Sequence, residues 1–214
     1  MVNAENVAEI LLDIKAVTLS PNKPYRYASG ILSPIYTDNR LLMGYPEHRK
    51  KIIGAMADLI EKRKIRFDVV AGTATAGIPH AAWLAEKTGK PMVYVRSEEK
   101  QHGKQNKIEG LIEKGWKAIV VEDLVSTGGS SVETVKGLRA AGLKAEDIIA
   151  IFTYNMKAAT DKFLAEKISL FALTDFSTLI SVAARKKYIS EQEKEIVLEW
   201  NRDPQNWGKK MGFE

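Results

Sequence analysis

The chain has no cysteine in its 214 residues, which excludes disulfides, thiolate zinc ligands and a cysteine nucleophile. A thiol-free chain suits a reducing compartment, so the cytoplasm is the default expectation. Histidine is scarce too. His48, His80 and His102 are too scattered for a metal site that spacing alone would reveal; His48 is expected at the surface and His80 at the start of a helix. No run approaches the roughly 18 to 20 consecutive apolar residues that span a bilayer, and no membrane partner is expected. The opening MVNAENVAEILLDIKAV carries acids early and alternates apolar with polar residues, unlike a signal peptide. The formal charge of +5 is spread among acids, with no dense basic run outside Arg96 to Lys107, so nucleic acid is not an expected partner. Trp83, Trp116, Trp200 and Trp207 read as packing residues, because no basic stripe accompanies them.

Two phosphate-binding fingerprints are also missing. Gly72 and Gly77 have the spacing of a P-loop, but Ile78 and Pro79 stand where lysine and a hydroxyl residue are required. No G-x-G-x-x-G follows the first core strand, which removes the main support for dinucleotide binding.

What is present describes one folded domain: 45% hydrophobic and 28% charged residues are ordinary globular values. Val7, Ile10, Leu11, Ile14 and Val17 recur at helical spacing and predict a helix over 3–17. A turn-rich stretch of short extended pieces fills 19–40, and 45–63 reads as a second helix. FDVVAG (67–72), PMVYVR (91–96), WKAIVVED (116–123), DIIAIFTY (147–154) and ISLFAL (168–173) are short apolar runs of the kind buried in a parallel sheet. Helices are predicted between them at 77–88, 129–141 and 156–167, with Gly89 and Gly142 as stop signals. From Asp175 onward two more helices are expected, and Ser190 with Glu193 forms a capping box at the start of the last. The order predicts an α/β fold, an open and mostly parallel five-stranded sheet with helices on both faces. Residues 97–110 carry one aliphatic side chain, Ile108, and cannot supply a crossover helix; a polar connection of that length is usually functional or mobile.

The strongest chemical signal is AIVVEDLVSTGGSSVETV (118–135). A strand ends in Glu122 and Asp123, a loop of small residues follows, and a helix begins near Gly129. Free amides at the helix start, with the Thr127, Ser130 and Ser131 hydroxyls, make an anion cradle. Acids beside a bare phosphate are unfavourable unless they hold hydroxyl groups or a divalent metal, so the ligand implied bears both a phosphate and a diol. Taken alone, the loop could equally be an ordinary serine-capped turn.

VVEDLVSTGGSS (120–131) resembles the phosphoribosyl pyrophosphate (PRPP) signature of the type I phosphoribosyltransferases, and the chain resembles the orotate branch of that family, with four segments agreeing in order over most of residues 20–135. The resemblance implies a core at 45–182 with a small hood built from 1–44 and 183–214. It assigns Glu122 and Asp123 to the ribose hydroxyls, Ser126, Thr127, Gly128, Gly129 and Ser130 to the 5-phosphate, and AGTATAGIPHA (71–81), with Thr73, Ala74, Thr75 and Ala76, to the pyrophosphate. RSEEKQHG (96–103) resembles a lid that closes over the neighbouring subunit's site; Arg96, Lys100 and His102, with Asp123, form the implied catalytic set. YASGILSPIYTDNR (27–40) resembles the stretch that frames the base, giving Tyr36 to the ring and Ser29, Ser33 and Thr127 to its polar edge.

The resemblance further implies transfer of the phosphoribosyl group from PRPP to orotate in pyrimidine biosynthesis, a homodimer, and Mg²⁺ held mainly by PRPP and water rather than by protein ligands. The chain departs from some members at Ala28, Ala76 and Ser97, where they carry basic residues. Near 154–157 the sequence TYNMK stands where some place an arginine for the orotate carboxylate, so that partner is left unassigned.

Overall fold

The computed structural model describes residues 2–27, 29–96 and 107–213. Helix α1 (Ala4–Asp13) starts on a capping box in which Asn3 and Asn6 exchange side-chain-to-backbone hydrogen bonds. It stops short of the predicted residue 17 because Lys15 takes a left-handed conformation (φ 58°). Val17 instead opens β1 (Val17–Leu19), which pairs antiparallel with β4 (Ile35–Thr37); between them β2 (Tyr25–Arg26) pairs with β3 (Leu32–Ser33). A 3₁₀ turn (Asn39–Gly44) leads into α2 (Pro46–Arg63), where Pro46 occupies the first turn that tolerates a missing N–H.

The alternating core follows: β5 (Val69–Thr73), α3 (Gly77–Thr88), β6 (Met92–Val95), β7 (Ile108–Glu109), β8 (Lys117–Val125), α4 (Gly129–Ala140), β9 (Lys144–Thr153), α5 (Lys157–Ala165), β10 (Ser169–Asp175) and α6 (Phe176–Arg185). The sheet order is β10-β9-β8-β5-β6-β7. Five strands are parallel, as the apolar runs predict. The sixth, β7, is a two-residue antiparallel edge strand on β6, too short to be legible in a polar segment. β8 also runs two residues beyond the predicted end, so Glu122 and Asp123 lie within a strand.

Along β8 successive side chains enter opposite layers. Ile119 and Val121 join the core formed with α1, α2, α3 and α6, whereas Ala118 and Val120 join the core under α4 and α5. β6 is added on one side of β5 and β8 on the other, and α3 and α4 leave on opposite faces. Their N-termini therefore flank a topological switch point, the crevice where open α/β sheets bind ligands.

Three helices, not two, complete the chain, because Asp203 and Pro204 break the run into α7 (Glu191–Arg202) and α8 (Pro204–Lys210). The Ser190–Glu193 capping box forms as predicted. The buried Trp200 Nε1 donates to Leu32 O at 3.0 Å, and Leu32 packs on Gly208, so the C-terminal helices clasp the N-terminal hairpin. α1 packs instead against α6 and β10.

Candidate active site

At the end of β8 the loop Ser126–Gly128 turns into α4, and Gly128 has φ 72°, a left-handed conformation in which glycine carries no steric penalty. Among the described residues the amides of Gly128, Gly129, Ser130 and Ser131 make no backbone hydrogen bond; the first is Val132 N to Gly128 O at 3.1 Å. Four free donors at a helix start form an anion-binding cradle. Thr127 and Ser130 are exposed, Ser131 is buried, and Ser126 Oγ lies 3.6 Å from Met156 Sδ.

The two acids do not act alike. Glu122 is 3% exposed, and its Oε1 accepts from Ser131 Oγ at 2.8 Å and Ser130 Oγ at 3.2 Å. Burial pushes its pKa up to about 7, against the opposing effect of the Ser131 hydrogen bond. Asp123 is half-buried, and burial also raises its pKa, while backbone amides and Arg40 pull the other way. Its backbone carbonyl accepts from Asn39 Nδ2 at 2.7 Å, a link between the 27–40 segment and the sheet that nothing in the sequence signals. Glu122 thus braces the first turn of α4 in this structure, and Asp123 is the more exposed of the two acids.

Because the folded-state pKa of Glu122 is raised above the ordinary 4.5, its ionisation opposes folding: its contribution is full below 4.5 and is lost as the pH rises through about 7. Glu122→Gln is therefore expected to be more stable than wild type at pH 8 by about 1 to 3 kcal/mol. The gap should close toward pH 5. Denaturant midpoints measured across that range check this, and a gap that widens in acid would refute it.

A second turn, Thr73–Ala76, joins β5 to α3 beside the first; the Ala74–Thr75 peptide is cis. The Thr73 hydroxyl is buried, its interaction with Glu122 opposing the effect of burial on that carboxyl, and Thr75 is exposed. Gly77 lets the start of α3 approach β8 closely: a Cβ there would lie 2.4 Å from Val121 O. His80 sits in the first turns of α3 but is buried, with neither ring nitrogen hydrogen-bonded among the described residues, and burial, with Arg49 nearby, pushes its pKa down to about 4. His48 is half-buried rather than fully at the surface.

The base segment is only partly as expected. Tyr36 is 44% exposed, its ring 5.7 Å from that of Tyr25, and Ser29 is exposed in a turn. Ser33, by contrast, is fully buried: its Oγ donates to Ile35 O at 2.8 Å and lies 3.1 Å from Tyr27 Oη. The hydroxyl is consumed in bracing its own hairpin and does not face the crevice. Tyr154, from the TYNMK stretch, is buried against Trp200 and Phe176, its Oη 3.0 Å from Thr37 Oγ1. Of the lid residues, Arg96 follows β6 with Nη1 3.4 Å from Glu109 Oε1. Lys100, His102 and Ser97 lie outside the described residues.

Two neighbouring strand-to-helix turns with free amides, and the partly exposed Asp123 carboxylate near them, are chemically suited to a ligand with two anionic ends joined by hydroxyl-bearing carbons. Residues 45–182 match the phosphoribosyl transferase domain model. The chain is 54% identical over 207 residues to the orotate phosphoribosyltransferase of Coxiella burnetii (strain RSA 493 / Nine Mile phase I), covering 97% of this chain and 99% of that protein. In structure it resembles the orotate phosphoribosyltransferase from Aeropyrum pernix, with a TM-score of 0.74 at 26% identity over 86% of this chain and 99% of that one. It also resembles Leishmania donovani UMP synthase, with a TM-score of 0.78 at 27% identity; the match covers 93% of this chain and 42% of that longer one. The chain belongs to the phosphoribosyl transferase family, in its orotate phosphoribosyltransferase branch. Among the described residues no helix is long and apolar enough to cross a membrane.

Proposed function

We propose that the protein transfers the phosphoribosyl group of PRPP to orotate, giving orotidine 5'-monophosphate and pyrophosphate. The observation that carries this reading is the pair of strand-to-helix turns on the adjacent strands β5 and β8, with Gly77 close against Val121 O. The 5-phosphate lies on the amides of Gly128 to Ser131, with Ser126 and Thr127 at the rim. The diphosphate lies at Thr73–Ala76, and Asp123 meets the ribose hydroxyls between them. Tyr36 offers a flat face to the base, as planar heterocycles favour.

The orotate ring nitrogen forms a bond to the anomeric carbon as the carbon–oxygen bond to pyrophosphate breaks. The electron pair leaves with pyrophosphate, and the nitrogen's proton is lost to solvent. Arg96, Lys100 and His102 supply cations where that negative charge accumulates. No protein nucleophile takes part.

Among the described residues no three His, Asp or Glu side chains converge as a metal cage, and Glu122 is engaged by serines. One half-buried carboxylate, Asp123, beside two anion cradles fits a Mg²⁺ that arrives chelated by the substrate's own oxygens and water. When bound, the ion neutralises charge on the diphosphate. A lid that serves the neighbouring site requires a second copy, and exposed Leu41, Met43 and Tyr45, next to the 27–40 segment, form an apolar patch that such a copy would cover. The absence of cysteine suits a cytoplasmic enzyme.

The direct test mixes the protein with orotate, PRPP and Mg²⁺ and follows the ultraviolet absorbance of orotate. A Mg²⁺-dependent, PRPP-dependent decrease is expected. Turnover of adenine or hypoxanthine without loss of orotate would overturn the assignment of the base.

A further inference from the structure

We propose that Lys162 is a positioning residue for the sugar-phosphate cradle: its ammonium fixes the Thr127–Gly128 peptide plane and adds positive charge at the mouth of the loop. The proposal rests on the reading of Ser126–Ser131 as the 5-phosphate site. It concerns a helix, α5, that lies outside the four segments from which that reading came.

α5 forms the floor of the loop. A Cβ on Gly128 would lie 3.0 Å from the Phe163 ring and 3.3 Å from Ala159 Cα, so the loop rests directly on this helix. From the same helix Lys162 Nζ donates to Thr127 O at 3.0 Å, and it lies 3.9 Å from the position of a Cβ on Gly129. The other cation of this helix, Lys157, is held by Asp161 at 2.6 Å. Lys162 makes no ion pair among the described residues, and its ammonium goes to a main-chain carbonyl.

The choice of that carbonyl matters because of peptide geometry. In a trans peptide the carbonyl and the next N–H point in opposite directions. Drawing Thr127 O toward α5 therefore turns Gly128 N–H away from α5, toward the side where Gly129, Ser130 and Ser131 leave their amides free. With φ at 72°, Gly128 permits this orientation. If the plane flipped, a carbonyl dipole would face a dianionic phosphate and one donor would be lost. Lys162 opposes the flip through a charge-assisted hydrogen bond, and its own charge lies close enough to the cradle to attract the phosphate directly.

The test compares wild type with Lys162→Met, which keeps the aliphatic stem, and Lys162→Arg, which keeps the charge. Orotate consumption at varied PRPP should show KM for PRPP raised about five- to tenfold in Lys162→Met, with kcat within about twofold, orotate KM unchanged and most of the loss restored in Lys162→Arg. Calorimetric titration with ribose 5-phosphate should weaken to match, whereas titration with magnesium diphosphate should not. A merely structural role would weaken both ligands alike. Equal PRPP KM in wild type and Lys162→Met, or equal losses for the two ligands, overturns the proposal while leaving the phosphate site intact. Failure of wild type itself to bind ribose 5-phosphate or PRPP overturns the phosphate-site reading and this proposal with it.

Discussion

Lys100→Ala is expected to lower kcat by about two to three orders of magnitude while KM for PRPP changes by less than about fivefold. The reason is where charge develops. On the proposed reading the diphosphate of the bound ground state is already held by the amides of Thr75, Ala76 and Gly77, which make no backbone hydrogen bond among the described residues, and by its Mg²⁺, so one more cation adds little to affinity. As the anomeric bond breaks, a further negative charge gathers on the departing oxygen, and a lysine with the role proposed for Lys100 gains interaction only in the transition state. Initial rates at varied PRPP and saturating orotate measure the split, and equal losses in kcat and affinity would assign Lys100 to ground-state binding instead.

The same variant tests whether the lid serves its own site or a neighbour's. Lys100→Ala and Asp123→Asn are each expected to be nearly inactive. Denaturing and refolding them together should recover about a quarter of wild-type activity, because half of randomly assorted dimers pair one of each and so assemble one intact site. A lid acting on its own subunit would leave the mixture inactive.

Gly77→Ala is expected to destabilise the protein by about 3 kcal/mol, lowering Tm by roughly 6 to 12 °C in a domain of this size, and to lower activity at temperatures where the protein is still folded. The added methyl would meet a main-chain oxygen, Val121 O, at 2.4 Å, and no side-chain rotation can relieve that contact. α3 must move away from β8, and that movement separates the two turns proposed to hold PRPP. Gly54→Ala is the control. Gly54 lies within α2 with nothing within 4 Å of its Cβ position, so alanine there should stabilise the helix by about 1 kcal/mol and leave turnover unchanged. Calorimetry with steady-state assays checks both, and an unaltered Gly77→Ala would show that the close approach can relax.

Much of the fold was legible because its signals are local. The apolar runs at 67–72, 91–96, 116–123, 147–154 and 168–173 became the five parallel strands, since a strand buried on both faces has to be apolar throughout. The helix at 77–88 has the bounds its pattern predicts. Boundaries that depend on partners were less legible: Val17 continues a helical pattern, but pairing with Thr37 draws it into a strand, and β7 exists only because β6 offers it an edge.

The candidate site divides in the same way. Composition and order alone marked the Glu122–Ser131 turn as a candidate, since a strand ending in acids and running into a glycine- and serine-rich helix start brings free amides, hydroxyls and carboxylates together. Only the tertiary structure showed that Glu122 turns inward to Ser130 and Ser131 while Asp123 stays partly exposed, that Ser33 is spent within its hairpin, and that Asn39 reaches the end of β8 and Lys162 the loop from distant parts of the chain. Sequence spacing fixes periodicity and the chemistry of adjacent residues. Which face a strand end presents, and which remote side chain completes a turn, depends on how layers pack, and that is decided by contacts between residues far apart in the chain.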